Sequence, residues 1–269
     1  MIRFSDASVL GVVEGLTEFL PVSSTGHLIL AAHWLGLYGD EVKTFEVVIQ
    51  LGAMVAVLAL YRDRVRSLWA GVLGRDPAGR RLLGTLLVSF LPAAVLGVLL
   101  HTPIKALLFG VWPVAAALAI GGVLMIGADW WLARHRRLTV KTLELLSLRE
   151  ALLIGLAQTA ALWPGTSRSM VTILAGLCLG LPPAAAAEYS FLLALPTLGA
   201  AAIFDAARGG AALLGAAGAG SVLIGFVVAG VTAAVAIRGF VRYLSRGGLA
   251  PFGWYRLALA LVVLLTARP

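Results

Sequence analysis

Long apolar runs, separated by short polar connections, dominate the chain. A helix needs about 20 predominantly apolar residues to cross a bilayer. Six runs approach this length and predict membrane-spanning helices, at approximately 44–62, 83–101, 113–133, 186–205, 219–238 and 252–267. The last of them carries Arg256 near its start.

Two further apolar stretches, 8–36 and 150–181, are interrupted in the middle by proline, glycine and hydroxyl residues. The interruptions read PVSSTG at 21–26 and PGTSRS at 164–169. Backbone groups freed at membrane depth are tolerated only where they are buried in protein or line a wet cavity. Both stretches are therefore predicted to be re-entrant helical hairpins, and the fold class is predicted to be an all-α polytopic membrane protein.

Composition agrees with this interpretation. Of the 269 residues, 60% are hydrophobic and 13% are charged, against about 45–50% and about 25% in soluble domains. We therefore expect residues 1–269 to form a single membrane domain. No small-residue cleavage site follows the first apolar run, so we expect no cleaved signal peptide. Cys178 is the only cysteine, which excludes an intramolecular disulfide.

The net charge of +8 reflects arginines clustered in short loops. No aromatic–basic interleaving or nucleic-acid fold pattern is present, so we expect no nucleic-acid partner. The basic loops are 62–81, 134–149 and 238–246, whereas the intervening loops 102–112 and 206–218 hold only one basic residue each. By the positive-inside rule the arginine-rich side is cytoplasmic and both termini lie outside.

A weak internal repeat divides the chain into halves of approximately 1–134 and 148–269. Each half contains one interrupted hairpin followed by three spans, and because three is odd, the second half must cross the membrane in the opposite sense. Inverted repeats of this kind place their broken segments together near the midplane, where the site forms. An offset of about 142–144 residues pairs Glu14 with Gln158, Pro21 with Pro164, Ser24 with Ser167 and Glu46 with Glu188.

The first hairpin carries two glutamates four residues apart, Glu14 and Glu18. Ionisable groups at membrane depth cost about 2.5–3.5 kcal/mol each on insertion scales and usually mark function. Two carboxylates on one helix face repel each other unless a cation, an arginine or a shared proton intervenes. The hairpin therefore requires a positive partner from another part of the chain.

The second hairpin supplies that partner in Arg168, which follows a Pro164–Gly165 turn. Free N–H groups at a helix N-terminus bind phosphate, and an arginine adds bidentate donors. The structural alternative is that Arg168 only neutralises Glu14 or Glu18, with the neighbouring hydroxyls acting as helix caps. Such a pair does not require two runs of hydroxyl residues, so we favour an anion site.

Together these residues are typical of phosphoryl transfer to water, where a protein mainly positions groups and neutralises charge. Arg168 holds the phosphate, Glu18 with Glu14 activates the attacking group, and His27 handles a proton. Whether Ser24, His27 or a water attacks stays open. The paired carboxylates also predict a divalent cation held by Glu14 and Glu18, with Mg²⁺ favoured and Ca²⁺ as the alternative.

Four segments carry a family resemblance: EGLTEFLPVSSTGH (14–27), TFEVVIQLG (44–52), LWPGTSRS (162–169) and PFGWYR (251–256). With them the chain resembles the bacitracin-resistance family of undecaprenyl pyrophosphate phosphatases over nearly its whole length. The resemblance implies a multi-pass hydrolase of the bacterial plasma (inner) membrane. It implies hydrolysis of a C55 prenyl pyrophosphate to the carrier lipid of cell-wall synthesis, a divalent-metal requirement, and a site open to the outer face.

Carried over by position, the resemblance makes Glu14 and Glu18 the family's acidic pair and Arg168 its phosphate-binding arginine. Ser24 and His27 match its candidates for nucleophile or proton transfer. The remaining polar positions of the two breaks are expected to bind substrate; they are Ser23, Thr25, Gly165, Thr166, Ser167, Ser169 and Thr172.

The alternative function is a flippase or secondary transporter of an anionic prenyl-phosphate lipid, since inverted repeats with broken helices are common in transporters. A lipid phosphatase whose histidine follows Ser-Arg after five intervening residues is rejected, because the required position is Leu174. A purely structural scaffold does not explain the polar breaks. The expected partners are the prenyl pyrophosphate lipid and the bilayer, and a homodimer is left open.

Overall fold

A computed structural model describes residues 2–108, 110–135 and 141–266, apart from the side chains of Asp40, Lys105, His135 and 203–217. Within these ranges the chain is helical and contains no β-strand. The α-helices there are α1 (Phe4–Thr17), α2 (Ser24–Leu35), α3 (Asp40–Leu60), α4 (Arg62–Val72), α5 (Pro77–Leu99), α6 (His101–Leu108), α7 (Val111–His135), α8 (Leu148–Gln158), α9 (Arg168–Cys178), α10 (Pro183–Ala217), α11 (Ala219–Leu244) and α12 (Ala250–Thr266).

The apolar helices confirm an all-α polytopic membrane protein. In the described part of the chain, five helical segments are long and apolar enough to cross a membrane: Glu41–Leu60, Pro77–Leu99, Val111–Arg134, Pro183–Ala202 and Ala219–Leu244. The sixth predicted span corresponds to the shorter apolar helix α12. Its 17 residues reach only the lower limit of about 17 for a spanning helix.

The predicted connections contain more helix than the charge pattern indicated. α4 lies within the basic segment 62–81, and α6 begins at His101 and takes up much of 102–112. The predicted loop at 206–218 is wrong for most of its length, because α10 continues to Ala217 before Gly218 ends it with a φ of 73°. The alanine-rich composition of this segment favours helix. Arg136 and Arg137 of the second basic loop, 134–149, lie outside the described residues.

Both interrupted stretches fold as a helix, a break and a second helix. α1 and α2 flank a break at 18–23, and α8 and α9 flank a break that begins with the 3₁₀ turn Thr159–Leu162. Both stretches are therefore interrupted as predicted, although the breaks lie at 18–23 and 159–167 rather than at 21–26 and 164–169. That each unit enters and leaves on one side of the bilayer stays a prediction.

The two breaks end in the same unusual backbone conformation. Ser23 has a φ of 72° and Ser167 a φ of 73°, and among the described residues they are the only non-glycine residues with positive φ. Such strained conformations cluster at functional sites. Each serine directly precedes a helix, so the backbone pairs Ser23 with Ser167. The sequence repeat instead paired Ser167 with Ser24, so the two alignments differ by one residue.

The first helix of each hairpin packs against a helix from the other predicted half of the chain. α1 packs along α11 of the second half, and α8 packs along α5 of the first half, while α7 lies against α12. Small residues permit the close approach. A Cβ atom at Gly15 would lie 2.5 Å from the Ala229 carbonyl oxygen, and one at Gly155 would lie 2.5 Å from the Ser89 carbonyl oxygen. Each break is thereby fixed against the other half.

An ionic contact ties the arginine-rich end of the bundle together. Arg64 on α4 donates to Glu144 at 2.5 Å and to Glu188 on α10 at 2.6 Å. Hydrogen bonds from its own backbone N–H and from Thr142, together with Arg64, lower the pKa of Glu144. Glu188, which the repeat pairs with Glu46, is therefore a structural residue at this end.

The close approach of α8 to α5 predicts the effect of a single methyl group. We expect Gly155→Ala to lower the free energy of unfolding by about 1–3 kcal/mol, because the methyl group meets the backbone at Ser89. Gly84→Ala on α5 is the matched control, since its Cβ would meet only a Leu148 methyl carbon at 4.0 Å. Thermal unfolding in detergent measures both; equal melting temperatures for the two variants would contradict the packing.

Candidate active site

The Glu18 carboxylate lies at the centre of the polar groups. Glu18 directly follows α1, and only 7% of the residue is exposed. Its Oε2 accepts a hydrogen bond from Ser24 Oγ at 2.6 Å and a longer one from Gln50 Nε2 at 3.4 Å. Ser24 is the first residue of α2. The break folds back, so that the Ser24 hydroxyl contacts Glu18.

Arg168 of the second hairpin completes this group. Its Nη2 donates to Glu18 Oε1 at 3.0 Å, and its Nη1 donates to the Ser190 carbonyl at 2.8 Å. The guanidinium carbon also lies 5.7 Å from the centre of the Phe19 ring. The positive partner that the sequence required is therefore Arg168, and the acid that it contacts is Glu18 rather than Glu14.

Glu14 has a different environment. The residue is fully buried, and in the described part of the chain neither carboxylate oxygen has a hydrogen-bond partner. It lies within electrostatic range of Glu18 and Glu46, and also of Arg168. A buried carboxylate without a partner is unfavourable unless it binds a proton or a cation. Glu14 is therefore the side chain most suited to receive a ligand that the chain does not itself supply.

The hydroxyls of the second break mainly support the backbone. Ser167 Oγ accepts from the Met170 N–H at 3.3 Å and caps α9. Ser169 Oγ donates to the Leu20 carbonyl at 2.9 Å, which joins the two breaks directly. Thr172 Oγ1 donates to the Arg168 carbonyl at 2.8 Å and lies 2.7 Å from Ser190 Oγ, from whose hydroxyl it can accept. These contacts fix the start of α9, and so the position of Arg168.

The other predicted binding residues lie on the same two breaks. Gly165 has a φ of 95°, and a Cβ there would lie 2.7 Å from the Val114 carbonyl oxygen, so glycine is required. The Thr166 N–H closes the turn by donating to the Trp163 carbonyl at 3.1 Å. Ser23 is buried, whereas Thr25 is half-buried in the first turn of α2.

His27 lies three residues beyond Ser24 but bonds elsewhere. Its Nδ1 lies 2.8 Å from the Ser23 carbonyl and its Nε2 lies 2.6 Å from the Tyr255 hydroxyl. A carbonyl can only accept, so Nδ1 donates, and in the neutral ring Nε2 accepts from the tyrosine. The two rings stack with their centres 5.6 Å apart. The structure thus attaches His27 to the Ser23 turn and to α12, not to Ser24 or Glu18.

Four further residues contact the site and were not predicted from the sequence: Gln50, Ser190, Tyr255 and Arg256. Gln50 and the Tyr255–Arg256 pair lie in segments that carry the family resemblance, and all three are polar residues within apolar runs. That pattern was the available signal. Ser190 contributes its backbone carbonyl as well as its hydroxyl, and a backbone contact leaves no signal in the sequence.

The geometry is suited to covalent attack on an anion. A hydroxyl that donates to a carboxylate has the arrangement of a nucleophile with its base. An arginine at the first position of a helix, beside the free N–H groups of the helix end, is suited to bind phosphate. The group of Glu18, Ser24 and Arg168 brings both features together in a largely buried position.

Comparisons with known proteins agree over nearly the whole chain. A family model described as "Bacitracin resistance protein BacA" matches residues 7–262. An undecaprenyl-diphosphatase from Sorangium cellulosum is 53% identical over 260 residues, covering 96% of this chain and 85% of the relative. Undecaprenyl-diphosphatase 2 from Shewanella oneidensis is 42% identical and covers 98% of each chain. The undecaprenyl-diphosphatase from Aromatoleum aromaticum is 46% identical, covering 98% of this chain and 94% of the relative.

The buried ion pair predicts a non-additive effect on stability. Glu18→Leu or Arg168→Met alone leaves a charge buried without its partner, so we expect each to cost about 3–5 kcal/mol. The double variant removes both charges and should recover most of that loss. The control is the exposed pair Asp63–Arg66, whose members are 83% and 74% exposed; Asp63→Leu and Arg66→Met should each cost under about 1 kcal/mol. Additive losses at Glu18 and Arg168 would contradict the pairing.

Proposed function

The chain belongs to the BacA family of bacitracin resistance proteins, and we propose that Glu18, Ser24 and Arg168 form the catalytic centre of its phosphatase activity. The protein is an undecaprenyl-diphosphatase, a membrane hydrolase that converts the prenyl pyrophosphate to the monophosphate and inorganic phosphate. This reaction serves cell-wall biogenesis and bacitracin resistance. The three relatives described above are all named as undecaprenyl-diphosphatases.

The observation that carries the assignment is the continuous contact from Ser24 through Glu18 to Arg168. One carboxylate oxygen faces the hydroxyl and the other faces the guanidinium. Arg168 has a further N–H, at Nε, without a partner among the described residues. We assign this donor and the N-terminus of α9 to the terminal phosphate. The neighbouring residues 165–169, with Ser23, Thr25 and Thr172, shape and support the phosphate site.

In the first step Ser24 Oγ attacks the terminal phosphorus while its proton passes to Glu18. The Oγ–P bond forms and the bond from phosphorus to the bridging oxygen breaks. The lipid monophosphate leaves with that oxygen and takes the proton from Glu18. A phosphate held by Arg168 presents less negative charge to the attacking oxygen, so positioning and neutralisation lower the barrier together.

In the second step a water molecule attacks the phosphorylated serine. Glu18 takes a proton from the water, the Oγ–P bond breaks, and the proton returns to Ser24 Oγ as inorganic phosphate leaves. His27 supports both steps through the backbone and does not itself transfer a proton. By donating to the Ser23 carbonyl it holds the strained turn that orients Ser24.

Glu14 and Glu18 fit a divalent cation, for which we propose Mg²⁺, with Ca²⁺ as the alternative. The two unpartnered oxygens of Glu14 are hard ligands. Among the described residues no group of three or more histidine, cysteine, aspartate or glutamate side chains could hold a metal ion. Phosphate oxygens of the substrate would therefore complete the ligand set. A bound cation would neutralise charge on the reacting phosphate.

We also place the protein in the bacterial plasma membrane with its arginine-rich loops in the cytoplasm. The positive-inside pattern supports this orientation. It puts the start of α1 and the end of α2 on the outer side, so the site would open to the outer face. The absence of a nucleic-acid partner stays a prediction, and the sequence leaves a homodimer open.

Phosphate release by purified protein tests the catalytic assignment. We expect Glu18→Gln to lower kcat by about 10²–10⁴-fold, because it removes the base. Arg168→Ala should lower kcat by about 10²–10³-fold, because it removes charge stabilisation. The exposed residues Glu41 and Arg242 supply the controls Glu41→Gln and Arg242→Ala, which should retain activity. Near-native release by folded Glu18→Gln would refute the assignment, and lipid translocation without phosphate release in sealed liposomes would favour the transporter.

Metal dependence tests the role of Glu14. We expect chelation to abolish phosphate release, and Glu14→Gln to raise the Mg²⁺ concentration for half-maximal activity by about tenfold or more, as loss of a ligand should. Mn²⁺ binding followed by electron paramagnetic resonance gives a second readout. Glu41→Gln is again the control. Activity that survives chelation, or an unchanged Mg²⁺ requirement in Glu14→Gln, would contradict the proposed ligands.

A further inference from the structure

Arg256 is a fully buried arginine that contacts the breaks of both hairpins. It lies near the start of α12, and none of the residue is exposed. Its Nη1 lies 3.4 Å from the Pro21 carbonyl of the first break. Its Nη2 donates to the Gly165 carbonyl of the second break at 2.9 Å. One planar group therefore spans the two interruptions.

The same guanidinium is anchored on α7. Nη2 donates to the Ala117 carbonyl at 3.0 Å, and Nε lies 3.3 Å from the Leu118 carbonyl. In the described part of the chain no carboxylate forms an ion pair with Arg256. Its hydrogen bonds in this part of the chain all go to backbone carbonyls, two of which belong to residues of the breaks. An arginine supplies five N–H donors in a rigid fork, which suits this geometry and which a lysine does not reproduce.

We propose that Arg256 is a positioning residue that sets the distance between the two breaks and thereby aligns Ser24 and Glu18 with Arg168. This inference rests on the proposed function of those three residues. Pro21 lies three residues before Ser24, and Gly165 lies three residues before Arg168. A shift of the guanidinium therefore moves both segments that carry the reacting groups. The adjacent Tyr255 holds His27, so α12 supports the first break at two points.

Gly121 on α7 provides an independent way to displace the guanidinium. A Cβ at Gly121 would collide with Arg256 Nη2 and would lie 2.8 Å from the Met170 sulfur. Gly121→Ala therefore keeps the charge of Arg256 and leaves Glu18, Ser24 and Arg168 unchanged. Gly127→Ala on the same helix is the matched control, since no atom lies within 4 Å of its Cβ. Both variants gain the same intrinsic helix preference of about 1 kcal/mol.

The test compares Arg256→Lys and Gly121→Ala with Gly127→Ala and Arg242→Lys, in full-length protein and per folded molecule. A misplacement of about 1 Å can cost about 10²-fold in rate, so we expect kcat to fall by about 10–100-fold in the first two variants. KM should stay within about twofold, because a positioning residue acts through the backbone of the two breaks. The two controls should keep native kcat and KM.

A double variant separates positioning from a general effect on folding. If Arg256 acts through the alignment of Arg168, adding Gly121→Ala to Arg168→Lys costs less than the product of the two single losses. Native kcat in folded Gly121→Ala, or multiplicative losses in the double variant, would overturn the inference. If Arg256→Lys fails to fold, Gly121→Ala decides alone. Failure of the proposed function is distinguishable, since it would appear as activity in Glu18→Gln.

Discussion

The Glu18 carboxylate is the constraint on which the rest of the structure depends. A charged group at this depth is stable only with donors on both oxygens, and those donors come from separate parts of the chain. Ser24 approaches from the same break, and Arg168 from the other hairpin. The exchange of α1 and α8 between the halves, together with Arg256, brings the breaks close enough for this contact. The packing of the two hairpins thus supplies the hydrogen-bond donors that this buried carboxylate needs.

The two hairpins are similar in backbone but divided in chemistry. The matched turns at Ser23 and Ser167 relate Glu14 to Gln158 at the same offset. Gln158 is buried like Glu14, but its amide donates to the Ser89 carbonyl at 3.3 Å and accepts from Thr197 at 3.4 Å. The first hairpin therefore supplies acids and the attacking hydroxyl, whereas the second supplies the cation. One asymmetric site results from two hairpins with matching turns.

The sequence was sufficient for the features that depend on local pattern. The length of the apolar runs predicted five of the spans, and the proline and glycine residues within two other runs predicted both breaks. The need of Glu14 and Glu18 for a cation pointed to Arg168. The sequence could not show which of the two acids contacts Arg168, because the position of the Glu18 carboxylate depends on the donors Ser24 and Gln50. The roles of Arg256 and Tyr255 were also inaccessible, since their partners are backbone carbonyls and a histidine more than 90 residues away in sequence.

The stereochemistry at phosphorus tests the central claim, that the Glu18 contact makes Ser24 the attacking group. The terminal phosphate of the substrate is made chiral with sulfur and oxygen isotopes, and the wild-type protein hydrolyses it in isotopically labelled water. Attack by Ser24 followed by attack of water is two in-line displacements, so we expect net retention of configuration. Net inversion would show a single displacement by water and would exclude Ser24 as the attacking group.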